Sequence, residues 1–253
     1  MAKESPTDNG NQPARTPRRR GIYLLPNLFT TGCLFFGFYA IVSGMMGRFE
    51  HAAIAIFVAM ILDGLDGRVA RLTNTESEFG VQYDSLADMI SFGLAPSLVI
   101  YLWALEDLGK LGWLAAFLYT AGAALRLARF NTQVTVADKR YFQGLPSPSA
   151  AAVVASSVWV GYDFNQPLVA LSFIITILAG LLMVSNFRYY SFKNIDLKGR
   201  VPFMAMLAMV LIFVFISIDP PQVLFYGFLI YLLHGPILTI ITLRRRRAKR
   251  HQH

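Results

Sequence analysis

The chain is organised around DGLDGRVARLTNTESEFGVQYDSLAD, residues 63–88, where four aspartates lie at the edge of segments that are otherwise apolar enough for a bilayer. On helices, Asp63 and Asp66 are three residues apart and Asp84 and Asp88 are four apart, so each pair projects from one helical face. Carboxylates in membrane helices are unfavourable and by default mark a function. Two such pairs facing each other across a short turn predict a cage for a hard divalent cation, Mg²⁺ or Mn²⁺.

The same stretch carries small residues and a cation on the aspartate faces. Gly67, Ala70 and Arg71 follow the first pair, and Gly80 precedes the second. Glycine weakens a helix unless something must approach its backbone closely, and a guanidinium is suited to phosphate. The pattern therefore favours a phosphorylated ligand beside the metal. A structural ion pair between an aspartate and a nearby arginine is the alternative, but it does not explain four aspartates on two aligned faces.

Apolar runs recur along almost all of the chain. Of its 253 residues, 55% are hydrophobic and only 15% are charged, whereas soluble domains carry about 25% charged residues. We predict an all-α fold, a polytopic bundle of about eight transmembrane helices of roughly 20 residues each. Their expected positions are 23–45, 51–72, 83–105, 111–130, 148–162, 167–186, 202–218 and 222–243.

The basic residues predict the orientation of these helices. With the N-terminus in the cytoplasm, only Arg48 and Lys110 of the 23 Lys and Arg residues fall on the outer side, as the positive-inside rule requires. Both termini are thus expected to be cytoplasmic. The expected divisions are a disordered basic tail (1–21), a transmembrane domain (22–243) and a second basic tail (244–253) that binds anionic lipid. Nucleic acid is not an expected partner, because no aromatic residues alternate with the arginines.

The spacing Asp63-x2-Asp66-Gly67-x2-Ala70-Arg71-x8-Gly80-x3-Asp84-x3-Asp88 resembles the full motif of the CDP-alcohol phosphatidyltransferases. This resemblance implies transfer of a substituted phosphate from a CDP-linked donor to an alcohol, with release of CMP. It further implies that Asp63, Asp66 and Asp84 hold one or two divalent metals. Asp88 would complete that site and serve as the general base.

The resemblance also implies a donor-binding set. It comprises Gly67, Ala70, Arg71, Ser77 and Gly80 of the aspartate stretch, together with Pro26, Asn27 and Thr30 of the first helix. Those three match a Pro-Asn-x2-Thr pattern of the bacterial phosphatidylserine synthases, although Cys33 stands where an asparagine is often found. Taken alone, the pattern is also compatible with an ordinary capped helix start.

The segments LRLARFNTQ (125–133) and YFQGLPSPSAAA (141–152) resemble the serine-using branch of the family. Arg126, Arg129 and Asn131 are our candidates for binding the acceptor, since serine carries a carboxylate. The alternative is that both arginines simply extend towards the membrane surface.

Together these features predict an enzyme that transfers the phosphatidyl group of CDP-diacylglycerol to L-serine. The expected setting is the bacterial inner membrane, with a cytoplasmic active site and a homodimeric assembly. Glycerol 3-phosphate or an inositol phosphate is the alternative acceptor. From a different class, a cation transporter could use intramembrane aspartates, although those would be expected on broken or repeated helices.

Overall fold

Eight helical segments make up most of the computed structural model, which describes residues 24–73, 75, 77–133, 141–190 and 203–250. They are α1 (Leu24–Met45), α2 (Phe49–Thr73), α3 (Glu78–Leu108), α4 (Lys110–Gln133), α5 (Ser147–Asp163), α6 (Val169–Val184), α7 (Phe203–Ile218) and α8 (Pro220–Arg250). The predicted number of helices is confirmed for the described residues. The predicted tail of residues 1–21 lies outside them, and α8 continues through most of the second tail.

Four of the described helices are long and apolar enough to cross a membrane. These spans are Leu25–Met45, Glu78–Leu108, Lys110–Thr132 and Pro220–Thr239. Large apolar side chains are exposed along them, including Phe38 on α1 and Phe117 on α4. A soluble protein rarely leaves so much apolar surface in water, so the chain is a membrane protein.

The helix α3 changes its winding directly after the aspartate stretch. It is α-helical over Glu78–Asp88, forms wider π turns over Met89–Leu94, and has a second π stretch at Tyr101–Leu105. Pro96 lacks the N–H that would bond to the Phe92 carbonyl in an α-helix. The buried hydroxyl of Tyr119 on α4 donates to that carbonyl instead, over 3.0 Å.

One short strand pair supplements the predicted helical architecture. β1 (Tyr141–Gln143) pairs antiparallel with β2 (Arg188–Tyr190), with Phe142 opposite Tyr189. Gly144 follows β1 with a φ of +79°, and a Cβ there would overlap the Met183 carbonyl oxygen at the end of α6. Glycine tolerates this conformation, and the tight turn leads the chain from β1 into α5.

Small residues allow the helices to approach closely around α5. Ala150, Ala151, Ala152 and Ala155 are all fully buried, and α5 packs against α2, α6 and α8. The same helix also packs against the part of α3 that follows the aspartate stretch, so it covers the inner faces of α2 and α3.

Candidate active site

The turn between α2 and α3 brings the two aspartate pairs together. The α2 helix ends at Thr73, and the hydroxyl of Ser77 caps α3 by accepting a 3.0 Å hydrogen bond from the Gly80 N–H. This connection reverses the chain, so that the aspartate faces of the two helices meet. As a result, Asp63, Asp66 and Asp84 each offer a carboxylate oxygen within 4.8 Å of the other two.

Asp88 completes the cluster from the next turn of α3. Its carboxylate lies within hydrogen-bonding reach of Asp63, and Asp84 lies similarly close to Asp66. The Oδ1 atom of Asp88 is buried and has no hydrogen-bond partner among the described residues. Buried carboxylates in mutual contact require a compensating charge. The arrangement therefore fits a divalent cation, for which carboxylate oxygens are preferred ligands.

The first helix contributes directly to the cluster through Thr30. Its hydroxyl lies 2.7 Å from Oδ2 of Asp66 and 3.2 Å from the Pro26 carbonyl oxygen. Asn27, three residues before Thr30, lies beside Gly80. Its Oδ1 is 3.7 Å from the position that a Cβ on Gly80 would take. The Pro-Asn-x2-Thr segment thus borders both halves of the aspartate stretch.

Open space borders the α2 side of the cluster. A Cβ on Gly64 or Gly67 would meet nothing within 4 Å. The exposed Arg71 donates from Nε to the Gly67 carbonyl over 2.9 Å, and Ala70, the residue before Arg71, is half-buried. The Arg71 side chain is thus held within its own helix beside the open space, where its remaining N–H groups can meet a ligand.

Only one of the three acceptor candidates faces the carboxylates. Arg126 is half-buried, donates from Nη1 to the Ser147 hydroxyl over 2.6 Å, and lies in electrostatic range of Asp88 and Asp63. Its guanidinium partly balances the negative charge of the cluster through its electrostatic interaction with Asp88 and Asp63.

The other two candidates connect helices. Arg129 donates to the Val184 carbonyl at the end of α6 over 3.3 Å. Asn131 donates to the hydroxyl of Ser85 over 3.0 Å, next to Asp84 on α3. These contacts fix α4 against its neighbours.

Two residues that interact with Arg126 could not be identified from the sequence. Ser147 lies inside the block quoted for its resemblance, and its burial follows from its place at the start of an alanine-rich helix. Tyr231 of α8 lies in electrostatic range of Arg126. No local pattern marks this tyrosine, because it is separated from Arg126 by more than 100 residues of chain.

Comparison with known proteins agrees with this geometry. The sequence profile of the CDP-alcohol phosphatidyltransferase family matches residues 23–185. A CDP-diacylglycerol–serine O-phosphatidyltransferase of Helicobacter pylori is 40% identical over 221 residues, which cover 85% of this chain and 91% of the relative. The enzyme of the same name from Bacillus subtilis is 34% identical over 170 residues, covering 67% of this chain and 92% of the relative. With its carboxylate cluster in place and most of its length matched, this chain belongs to the CDP-alcohol phosphatidyltransferase family.

Proposed function

We propose that the protein transfers the phosphatidyl group of CDP-diacylglycerol to the hydroxyl of L-serine, giving phosphatidylserine and CMP. The observation that carries this proposal is the convergence of four aspartates in a chain whose relatives are named for that reaction. The family is one of transferases, which favours an enzyme over a cation transporter.

Asp63, Asp66, Asp84 and Asp88 would hold the divalent metal, Mg²⁺ or Mn²⁺. When bound, the metal would supply neutralisation of the charge on the diphosphate oxygens, which is a major part of catalysis in phosphoryl-type transfer. Thr30 orients the Asp66 carboxylate through its 2.7 Å hydrogen bond, so the ligand set is held in place before substrate arrives.

Asp88 is proposed as the general base. A hydroxyl is a weak nucleophile at neutral pH and needs a base within hydrogen-bond reach. The serine hydroxyl attacks the phosphorus that carries diacylglycerol, and its proton passes to Asp88. A new bond forms between serine oxygen and phosphorus, the bond from phosphorus to the CMP oxygen breaks, and CMP leaves. The position of Asp88 at the end of the cluster, with its carboxylate close to that of Asp63, supports this role.

The donor is proposed to bind along the open side of α2 and the start of α3. The absence of any described atom within 4 Å of a Cβ on Gly64 or Gly67 leaves the backbone accessible to a bulky nucleotide. The proposed donor contacts are Pro26, Asn27, Thr30, Gly67, Ala70, Arg71, Ser77 and Gly80. Ser77 already accepts from Gly80, and its hydroxyl proton remains for a phosphate oxygen.

For the acceptor, the geometry favours Arg126 over Arg129 and Asn131. The part-buried Arg126 guanidinium interacts electrostatically with Asp88, so a serine carboxylate bound to it would lie towards the base that the serine hydroxyl must reach. Arg129 and Asn131 stay in the proposal as residues at the edge of the same pocket, where they fix α4.

We further propose eight membrane-spanning helices with both termini in the cytoplasm, in the bacterial inner membrane, and a homodimeric assembly. A cytoplasmic active site suits the substrates, since CDP and serine are water-soluble whereas the acyl chains remain in the bilayer. The charge distribution supports this orientation.

An acceptor panel tests the proposed reaction. Purified protein in mixed micelles with CDP-diacylglycerol and Mn²⁺ or Mg²⁺ is offered serine, glycerol 3-phosphate or an inositol phosphate, and CMP release is measured. We expect release with serine alone. Release with another alcohol but not with serine would contradict the acceptor, and no release with any of them would contradict the reaction.

A further inference from the structure

The helix α3 is wound differently on the two sides of Asp88. This residue is the last of the α-helical part that carries the aspartates, and the π turn Met89–Leu94 follows it directly. At the end of that turn the Ala95 N–H bonds to the Ile90 carbonyl, which is five residues earlier instead of four. A π turn holds more residues than an α turn, so it changes the direction of the side chains before it relative to those after it. The winding of this turn therefore sets the direction of the aspartate face.

The part of α3 after the π turn is fixed in the protein core. Ala95, Val99 and Ile100 are fully buried, and this part packs against α1, α2, α4 and α5. The aspartate part is held less firmly, since Val81 and Leu86 are exposed on it. A change in the winding of the π turn would thus move the aspartates and leave the buried part in place.

Two buried hydroxyl groups hold the π turn from neighbouring helices. Ser91 in the turn donates to the Cys33 carbonyl on α1 over 3.0 Å. Tyr119 on α4 donates to the Phe92 carbonyl, also over 3.0 Å. In an α-helical turn that carbonyl would accept from residue 96, which is proline and has no N–H. Tyr119 therefore supplies a donor at the point where the sequence removes one from the α-helical winding.

We propose that Tyr119 is a positioning residue for the metal site: its hydrogen bond keeps the π turn in the winding that directs Asp84 and Asp88 towards the aspartates of α2. This inference rests on the proposed function, in which the four carboxylates bind a divalent metal. Tyr119 acts through the backbone of α3 and not by contact with metal or substrate. Without its hydroxyl the turn is free to change its winding, and the four ligands are less often in place together.

Tyr119→Phe tests the inference, because it removes the hydroxyl and keeps the buried ring. Tyr189→Phe is the matched control. Tyr189 is also fully buried, and it donates over 3.0 Å to the Leu232 carbonyl on α8. That carbonyl likewise lies four residues before a proline, Pro236. The two variants thus lose the same kind of hydrogen bond, but α8 carries none of the four aspartates.

The readout is binding of Mn²⁺ to the metal-free, full-length protein in detergent micelles, measured by electron paramagnetic resonance of the free ion. We expect Tyr119→Phe to raise the Kd for Mn²⁺ roughly tenfold, the upper end of what one neutral hydrogen bond contributes. Tyr189→Phe should stay within about twofold of wild type, because its bond lies in another helix and is independent of the site.

The same measurement separates this inference from the proposed function. If the wild-type protein binds no Mn²⁺, the proposed metal site fails. If wild type binds Mn²⁺ and Tyr119→Phe binds it as tightly, or both variants weaken binding equally, the inference alone is overturned. Should Tyr119→Phe be too unstable to purify, Ser91→Ala removes the other hydroxyl that holds the same π turn and is judged by the same criteria.

Discussion

Thr30 of α1 donates a 2.7 Å hydrogen bond to Oδ2 of Asp66 on α2, and both residues are buried. The bond joins two helices that are packed together along much of their length. Since the same hydroxyl also lies 3.2 Å from the Pro26 carbonyl oxygen, its position is fixed from both sides. The carboxylate is thereby held at the edge of the cluster in one orientation.

We expect Thr30→Val to weaken metal-dependent activity. Valine keeps the shape but leaves Asp66 without this donor, and supporting contacts of metal ligands typically contribute 10- to 100-fold in affinity or activity. The concentration of Mn²⁺ or Mg²⁺ needed for half-maximal CMP release should rise by about tenfold or more, whereas Thr30→Ser should restore it. Thr31→Val is the control, because Thr31 bonds to Tyr83 on the exposed side. An unchanged metal requirement in Thr30→Val would show that the bond has no role in the site.

Asp88→Asn should abolish turnover and leave donor binding largely intact. Asparagine has the same shape as aspartate but accepts no proton from serine at neutral pH, and general-base catalysis typically contributes 10²- to 10⁴-fold. CMP release and binding of CDP-diacylglycerol are measured on the same preparation. Loss of donor binding together with turnover would instead identify Asp88 chiefly as a metal ligand.

Gly67→Ala should raise the KM for CDP-diacylglycerol without destabilising the protein. The added methyl group meets no described atom within 4 Å, and alanine favours a helix over glycine by about 1 kcal/mol. The methyl would, however, occupy space proposed for the donor. Gly227→Ala on α8 is the matched control, because its Cβ also meets nothing and the site lies elsewhere. Equal KM values for the two variants would place the donor away from Gly67.

The carboxylate cluster could be predicted from the sequence because its information is local. Spacings of three and four residues fix which side chains share a helical face, and the short turn leaves little choice in how the two faces meet. The eight helices were likewise predictable from apolar runs of suitable length. The structure added the short strand pair, whose three-residue segments are separated by two helices and have no distinct pattern of their own.

Two interruptions by proline could be located in the sequence, but not their consequences. Pro96 and Pro236 each leave a carbonyl four residues earlier without its helical donor. In both places a buried tyrosine supplies the missing hydrogen bond, Tyr119 in the first and Tyr189 in the second. These partners lie 27 and 43 residues from the carbonyls they bind, so only the folded chain identifies them.

The two arginines that are candidates for binding the acceptor could not be distinguished from the sequence either. Arg126 and Arg129 are three residues apart and looked equivalent in the sequence, but only Arg126 turns towards Asp88, while Arg129 bonds to the Val184 carbonyl.

We expect Arg126→Gln to raise the KM for serine by about tenfold or more, since it removes a charged hydrogen-bond donor from the pocket. Arg129→Gln should change it by no more than about twofold, because Arg129 bonds to the Val184 carbonyl at the edge of the pocket and not to the carboxylates. Ser147→Ala should have an intermediate effect, because it removes the 2.6 Å contact that positions Arg126. The KM for CDP-diacylglycerol, measured in parallel, should stay near wild type in all three variants. A larger effect of Arg129→Gln than of Arg126→Gln on the KM for serine would move the acceptor carboxylate to the outer end of α4.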